Sequence, residues 1–204
     1  MTYPPRHPKP RLESLSDLIF GLALSIGTIS LIARLPKGPA EIVFDIVQFG
    51  FSFVILISVW MWYTSIMSVL PVEDRTTTVL NLLMLFLVSI EPYLFYLNVT
   101  YDLTDHVLLL DAASIIYALD MAGLMAILAL FTHQLTIEEK KLLPDDSLTR
   151  YKRMRTNFLI SAVLFAVTIL PVFWTLRIQD TPLRFFLWFA PFVVPLMTRV
   201  LRGE

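Results

Sequence analysis

Three carboxylates lie within stretches of this sequence that are otherwise strongly apolar. Asp111 and Asp120 belong to one apolar run, and Glu91 lies near the end of the run before it. A carboxylate in the hydrocarbon of a membrane is costly and often functional, so a proton relay is one interpretation. The alternative is that Glu91 and Asp111 are solvated near the outer membrane surface, while Asp120 hydrogen-bonds to a neighbouring helix.

Other reactive residue types form no pattern typical of an enzyme or a metal site. The chain has no cysteine, which excludes disulfides, thiol catalysis and thiolate metal ligands. His106 and His133 have no partner at the spacing of metal ligands. No Gly-rich phosphate loop, HExxH or GxSxG motif occurs. We therefore expect no enzymatic activity, no cofactor and no metal.

The sequence contains six apolar runs, two of which carry the three carboxylates. Each run is long enough to cross a membrane as a helix. Hydrophobic residues make up 56% of the 204 residues and charged residues only 16%, a balance typical of a membrane protein. No run alternates as a membrane β-strand does, so the sequence predicts an all-α integral membrane protein. The six expected transmembrane helices cover about residues 15–35, 42–70, 76–98, 107–131, 157–176 (kinked at Pro171) and 183–201.

Charge and composition predict how the chain is organised around these helices. Residues 1–14 are polar and proline-rich and are expected to form a cytoplasmic leader, followed by a single six-helix domain over residues 15–204. The formal net charge is -1, so we expect no nucleic-acid partner. Twelve of the 16 lysines and arginines fall on one side of the six helices, and the positive-inside rule then places both termini in the cytoplasm.

The first apolar run differs from the others because small or weakly polar residues occupy nearly every second position between Gly21 and Ser30. Small residues let helix backbones approach closely in lipid. Leu22, Ile26 and Ile29 recur among them at spacings of four and three, which places them on one helix face. This pattern fits an ordinary packed transmembrane helix, and it also fits a pore-lining helix with an apolar constriction.

The segment from Arg11 to Asp17 reads Arg-x-x-x-Leu-Ser-Asp. It resembles the Arg-x-x-x-Phe-Ser-Asp signature that opens the first helix in the transmembrane protein 175 family of potassium channels, with Leu15 in place of the family's phenylalanine. Arg11 and Asp17 are six residues apart, too far for a pair within one helix. Their partners are therefore expected on other helices or other subunits.

Further features extend the resemblance along most of the chain. The six-span layout agrees, as does the segment Leu-Asn-Leu-Leu at 80–83, which is followed by Pro92. In the second span the family usually has a tryptophan followed three positions later by histidine. Here Trp60 is followed by Tyr63 and Trp62 by Ser65, so that part of the family's polar network is altered.

The resemblance implies a prokaryotic member of the family in the cell membrane, assembled as a homotetramer whose first helices line a central pore. It also assigns roles to residues of the first helix. The implied site residues are Leu22, Ile26, Ile29 and Ser25 for the pore constriction and selectivity, and Arg11, Ser16 and Asp17 for an inter-helix polar network near the cytoplasmic side.

These features together predict a potassium-permeable leak channel with modest selectivity for K⁺ over Na⁺. An apolar ring cannot replace the water around an ion, so it conducts only when wetted and gates by dewetting. Three alternatives stay open: a proton-permeable channel, a proton-coupled transporter using intramembrane carboxylates such as Asp120 and Glu91, and a non-conducting membrane scaffold. Beyond K⁺ as the permeant ion, the expected partners are membrane lipid and further copies of the chain.

Overall fold

The computed structural model is a helical bundle with one short hairpin. It describes residues 10–33, 36, 38–70, 75–100, 107–137, 145–178, 181–189 and 191–192. The elements are α1 (Pro10–Ala33), α2 (Pro39–Met67), α3 (Arg75–Thr100), α4 (Val107–Thr136), α5 (Asp145–Val167), α6 (Val172–Thr175), β1 (Arg177–Ile178), β2 (Thr181–Pro182) and α7 (residues 183–189).

Three of the described helices are long and apolar enough to cross a membrane, namely Pro39–Met67, Arg75–Asn98 and Asp111–Thr136. The apolar stretch Ser14–Ile29 within α1 is shorter. The expected all-α membrane architecture is thus confirmed, whereas the count of six spans stays a prediction. Of the expected sixth span, residues 193–201 lie outside the described part of the chain.

Prolines begin the first two helices. Pro10 is the first residue of α1, and Pro39 is the first residue of α2, directly after the extended Gly38. The first amides of a helix have no helical acceptor, so proline loses nothing at that position and its fixed φ favours the helix. Helix α1 therefore begins five residues before the expected position, within the segment predicted to be a leader.

The fifth helix differs most from its expected bounds. It was expected at 157–176, but α5 covers Asp145–Val167. Because of this early start, the basic segment at 150–155 is helical. A kink was expected at Pro171, but the helix ends at Val167 instead. In a continuous helix the ring of Pro171 would clash with the carbonyl of Val167, four residues earlier.

Proline does not end α3, which continues through Pro92 to Thr100. The segments after the two prolines explain the difference. Leu94 and Asn98 beyond Pro92 are buried against the bundle, whereas Leu170 and Val172 beside Pro171 are about half exposed. Packing thus compensates for the interrupted helical hydrogen bond in α3 but not in α5. The chain after α6 instead forms an antiparallel hairpin that the sequence did not predict, pairing Ile178 with Thr181.

Helix α4 is the centre of the bundle, since it packs against both α3 and α5, while α1 packs against α2 and α3. The buried side chains form one continuous core, and Val59, Val88 and Leu124 within it are fully buried. Gly123 allows α3 and α4 to approach closely, because a Cβ atom at this position would lie 2.9 Å from Leu87 Cδ1.

We expect Gly123→Val to lower the melting temperature of the purified protein, because the added side chain collides with Leu87 and overpacking costs about 1–3 kcal/mol. Gly50→Val in α2 is the matched control, since no atom lies within 4 Å of a Cβ there. Thermal unfolding in detergent measures both. Equal melting temperatures for the two variants would contradict the close approach of α3 and α4.

Candidate functional site

Helix α1 has one face packed into the bundle. Ser16, Phe20, Ala23 and Gly27 recur at spacings of four, three and four, and all are buried. Gly27 lies against α2, with the Phe49 ring 3.4 Å from where a Cβ atom would be. Some of the small residues noted in the sequence therefore serve close packing within the chain.

The opposite face of α1 is apolar and exposed. Leu22, Ile26 and Ile29 are 57%, 38% and 58% exposed, so these three expected constriction residues share a face that the described part of the chain leaves uncovered. Leu18, one turn before Leu22, is exposed as well. The role of this face as a pore lining stays a prediction.

Ser25 lies beside these residues and is also exposed. Its hydroxyl donates to the Gly21 carbonyl at 2.8 Å, so its hydrogen-bond donor is satisfied within the helix. A hydroxyl oxygen retains acceptor lone pairs after donating its proton. Ser25 therefore presents an acceptor oxygen on the exposed surface of α1, and this is the chemistry that a dehydrating cation needs.

A polar network joins α1, α2 and α3 near the start of α1. Tyr63 donates its hydroxyl proton to Asn81 Oδ1 at 2.7 Å, and the hydroxyls of Ser16 and Tyr63 are 2.8 Å apart. Because Tyr63 has a single proton, Ser16 is the donor to Tyr63. All three side chains are buried. Trp60 lies one turn earlier in α2 and donates from Nε1 to Asp17 Oδ1 at 3.1 Å.

We call these five residues the inner network. The sequence argument expected Asp17 to find its partner on another helix or another subunit, and Trp60 belongs to another helix of the same chain. Tyr63 lies three positions after Trp60, and its hydroxyl bridges α1 and α3 from there. Arg11 lies in α1, but its side chain is outside the described part of the chain.

A second polar group lies between α2, α3 and α4, and we call it the acid cluster: Ser52, Glu91, Tyr117 and Asp120. Ser52 donates to Glu91 Oε2 at 3.3 Å. Glu91 is fully buried, so its expected solvation near the membrane surface is wrong. Asp120 is 4% exposed, and neither of its oxygens has the expected hydrogen bond within the described residues.

Asp111, for which solvation was one of the expectations, stays partly exposed and also forms an ion pair. Arg184 of α7 donates from Nη2 to Asp111 Oδ1 at 3.1 Å. Arg184 is buried, and its guanidinium also lies 5.4 Å from the ring centres of Trp174 and Phe185. The sequence contained one clue to this contact, since Arg184 is a basic residue on the predicted outer side, where few basic residues occur.

Asn98 ties α3 to α4 at the same end of the bundle. Its Oδ1 accepts from Ser114 at 2.5 Å, and its amide donates to the Leu94 carbonyl at 2.8 Å. Asn98 also opens an Asn-Val-Thr sequence that matches a glycosylation acceptor. Because its side chain is buried and hydrogen-bonded, it is not available for modification in this fold.

Apolar helices that hold their polar groups between them and expose apolar side chains define an integral membrane protein. Residues 11–92 match the family model described as endosomal/lysosomal potassium channel TMEM175. This range begins at Arg11 of the signature and ends at Pro92, and it confirms the resemblance inferred from the sequence for this part of the chain.

The fold is similar to the crystal structure of a lysosomal potassium-selective channel TMEM175 homolog from Chamaesiphon Minutus. The TM-score is 0.60 at 16% sequence identity, over 95% of this chain and 97% of that chain. No curated protein matches this chain in sequence. The matched family and the similar structure are ion channels, not enzymes.

We expect Tyr63→Phe to destabilise the protein by about 1–3 kcal/mol, the range for burying polar groups without a partner. The variant removes the hydroxyl between Ser16 and Asn81 while keeping the ring that packs on Phe20. Tyr93→Phe, on an exposed tyrosine of α3, is the matched control. A melting temperature of Tyr63→Phe equal to that of the control would show that the inner network contributes little.

Proposed function

We propose that this protein is a potassium-permeable channel whose pore is lined by α1. The observation that carries the proposal is the exposed face of α1 with Leu22, Ile26 and Ile29, on a helix whose other face is packed into the bundle. The match of residues 11–92 to a potassium-channel family supports it. So does the similarity of fold to a potassium-selective channel.

A pore of this kind selects ions by the cost of partial dehydration. Leu22, Ile26 and Ile29 offer no oxygen to replace water, so an ion crosses only while the constriction is wetted. K⁺ holds its hydration shell less tightly than Na⁺ and loses part of it at lower cost. The expected selectivity is therefore modest, without the discrimination that a cage of carbonyl oxygens gives.

Ser25 contributes to this preference in the proposal. Its acceptor oxygen lies between the levels of Leu22 and Ile29 along α1, and its proton is already held by the Gly21 carbonyl. A weak oxygen ligand at the constriction offsets part of the dehydration cost of the larger cation. Arg11, Ser16 and Asp17 have a different role, since they anchor the cytoplasmic end of α1 to the rest of the bundle.

The pore requires several copies of the chain, because one helix cannot enclose a channel. We propose a homotetramer in a prokaryotic cell membrane, with four α1 helices around the axis and both termini in the cytoplasm. In this arrangement the exposed face of α1 contacts the other subunits and the permeating ions. The inner network then holds each pore-lining helix from within its own subunit.

A proton-linked function is the second candidate, and the buried carboxylates Glu91 and Asp120 favour it. The two candidates differ in what drives transport. A channel passes K⁺ down its own gradient after an ionophore has collapsed the proton gradient, whereas a proton-coupled transporter stops. Flux from proteoliposomes, measured with and without the ionophore, separates them.

We expect wild-type proteoliposomes to release K⁺ faster than Na⁺ and expect Leu22→Ala to reduce that preference, because a smaller side chain widens the ring. Leu82→Ala is the matched control, since Leu82 is an equally exposed leucine on α3. Parallel K⁺ and Na⁺ flux assays measure the ratio. A ratio unchanged by Leu22→Ala would contradict the assignment of α1 as the pore helix.

We expect Ser25→Ala to lower the ratio of K⁺ to Na⁺ flux while leaving the constriction width nearly unchanged, because it removes only the oxygen ligand. Ser89→Ala is the matched control, since Ser89 likewise bonds to its own helix, at the Phe86 carbonyl in α3. If both serine variants keep the wild-type ratio, the hydroxyl of Ser25 has no part in selectivity.

A further inference from the structure

The acid cluster is separate from the exposed face of α1. Glu91 on α3 and Asp120 on α4 are 0% and 4% exposed, and they belong to two helices that pack against each other. Tyr117, one turn before Asp120, is fully buried, and its ring contacts the ring of Phe95, one turn after Glu91 on α3. Two acidic groups thus lie in the buried region where α3 and α4 meet.

Most polar atoms of this cluster have no hydrogen-bond partner among the described residues. The unpaired atoms are Glu91 Oε1, both oxygens of Asp120 and the hydroxyl oxygen of Tyr117. The one hydrogen bond is the donation from Ser52 to Glu91 Oε2. Three of these four oxygens belong to carboxyl groups, which only accept hydrogen bonds unless they are protonated.

No described basic side chain compensates the two acids. Helix α2 contributes only the neutral Ser52, and α7 contributes the Trp188 ring that stacks on Tyr117 at 4.7 Å. The guanidinium of Arg184 is bound to Asp111, more than two turns before Asp120 in α4. Arg155 of α5 bonds to His133 and Thr136 in the last turn of α4, well after Asp120 along that helix.

Two ionised carboxylates in this position would carry a prohibitive cost, since even one buried unpaired ion costs several kcal/mol. We propose that Glu91 and Asp120 form an intramembrane proton-binding site, which holds at least one proton at neutral pH. The site titrates as a coupled pair. The proton comes from a hydronium ion of the bulk solution, which leaves as water, and it forms an O–H bond at an unpaired carboxylate oxygen, while Ser52 keeps donating to Glu91 Oε2.

This site lies within one subunit and off the proposed permeation path, because Leu22, Ile26 and Ile29 face away from the bundle interior. Its ligand is a proton rather than an alkali cation. The inference does not rest on conduction, so it stands or falls independently of the channel proposal.

The experiment is pH-difference infrared spectroscopy on the purified full-length chain in lipid nanodiscs. A protonated carboxylic acid has a C=O stretch that a carboxylate lacks. We expect the wild type to show this band at neutral pH and to lose it in alkali. The double variant Glu91→Gln/Asp120→Asn should lack the band, while Asp45→Asn, which removes a partly exposed acid of α2, should keep it.

The wild type alone decides between a proton and a metal cation. A band of equal intensity in Na⁺, K⁺ and a large organic cation supports the proton site. A band that appears only after both alkali cations are removed would overturn the proposal in favour of a metal site. A wild type without the band at neutral pH, or a double variant that retains it, would overturn the proposal as well.

The pH dependence of the melting temperature gives a second measurement. If the folded chain holds protons that the unfolded chain releases, the free energy of unfolding falls as pH rises. We therefore expect the melting temperature of the wild type to fall in alkali more than that of the double variant, whose amides stay neutral. Parallel losses in the two proteins would contradict the proposal.

Discussion

Polar groups between these helices must find partners inside the protein, because the surrounding lipid offers none. The described structure meets this constraint in part, by joining different helices at three levels. The inner network links α1, α2 and α3, and the bond from Ser52 to Glu91 links α2 and α3. Near the start of α4, the Asn98–Ser114 bond links α3 to α4, and the Arg184–Asp111 ion pair links α4 to α7. The acid cluster is the exception, since most of its polar atoms are unpaired among the described residues. The contacts between helices fix which helix faces which, a specificity that apolar packing alone supplies poorly in a membrane.

The same constraint gives α1 two distinct faces. Ser16 and Asp17 bind to α2, and the buried Gly27 lies against the Phe49 ring of that helix, so hydrogen bonds and a small residue both occur on the packed face. The exposed side carries Leu22, Ile26 and Ile29 beside Ser25 and Thr28, whose hydroxyls donate to carbonyls of their own helix. A helix held firmly along one side can present bulky side chains on the other at a defined height and rotation.

Apolar periodicity predicted the helical membrane architecture well, because spans of this length have few other ways to satisfy their backbone. It also predicted that Leu22, Ile26 and Ile29 share one helix face, and the fold leaves all three exposed. It failed at α5, where the helix extends into polar sequence and Pro171 ends it. Nothing local indicated that Glu91 is buried, and the scarcity of basic residues near Arg184 was the one clue that Asp111 meets it, because both features depend on contacts between residues far apart in sequence.

The hydroxyl of Tyr63 has a consequence for the inner network as a whole. The imidazole of a histidine at this position would gain and lose a charge around neutral pH, whereas a phenol does not ionise there. The bonds from Ser16 through Tyr63 to Asn81 therefore keep the same donors and acceptors in acidic and in neutral surroundings. This part of the link between α1, α2 and α3 therefore contains no group that changes its charge around neutral pH.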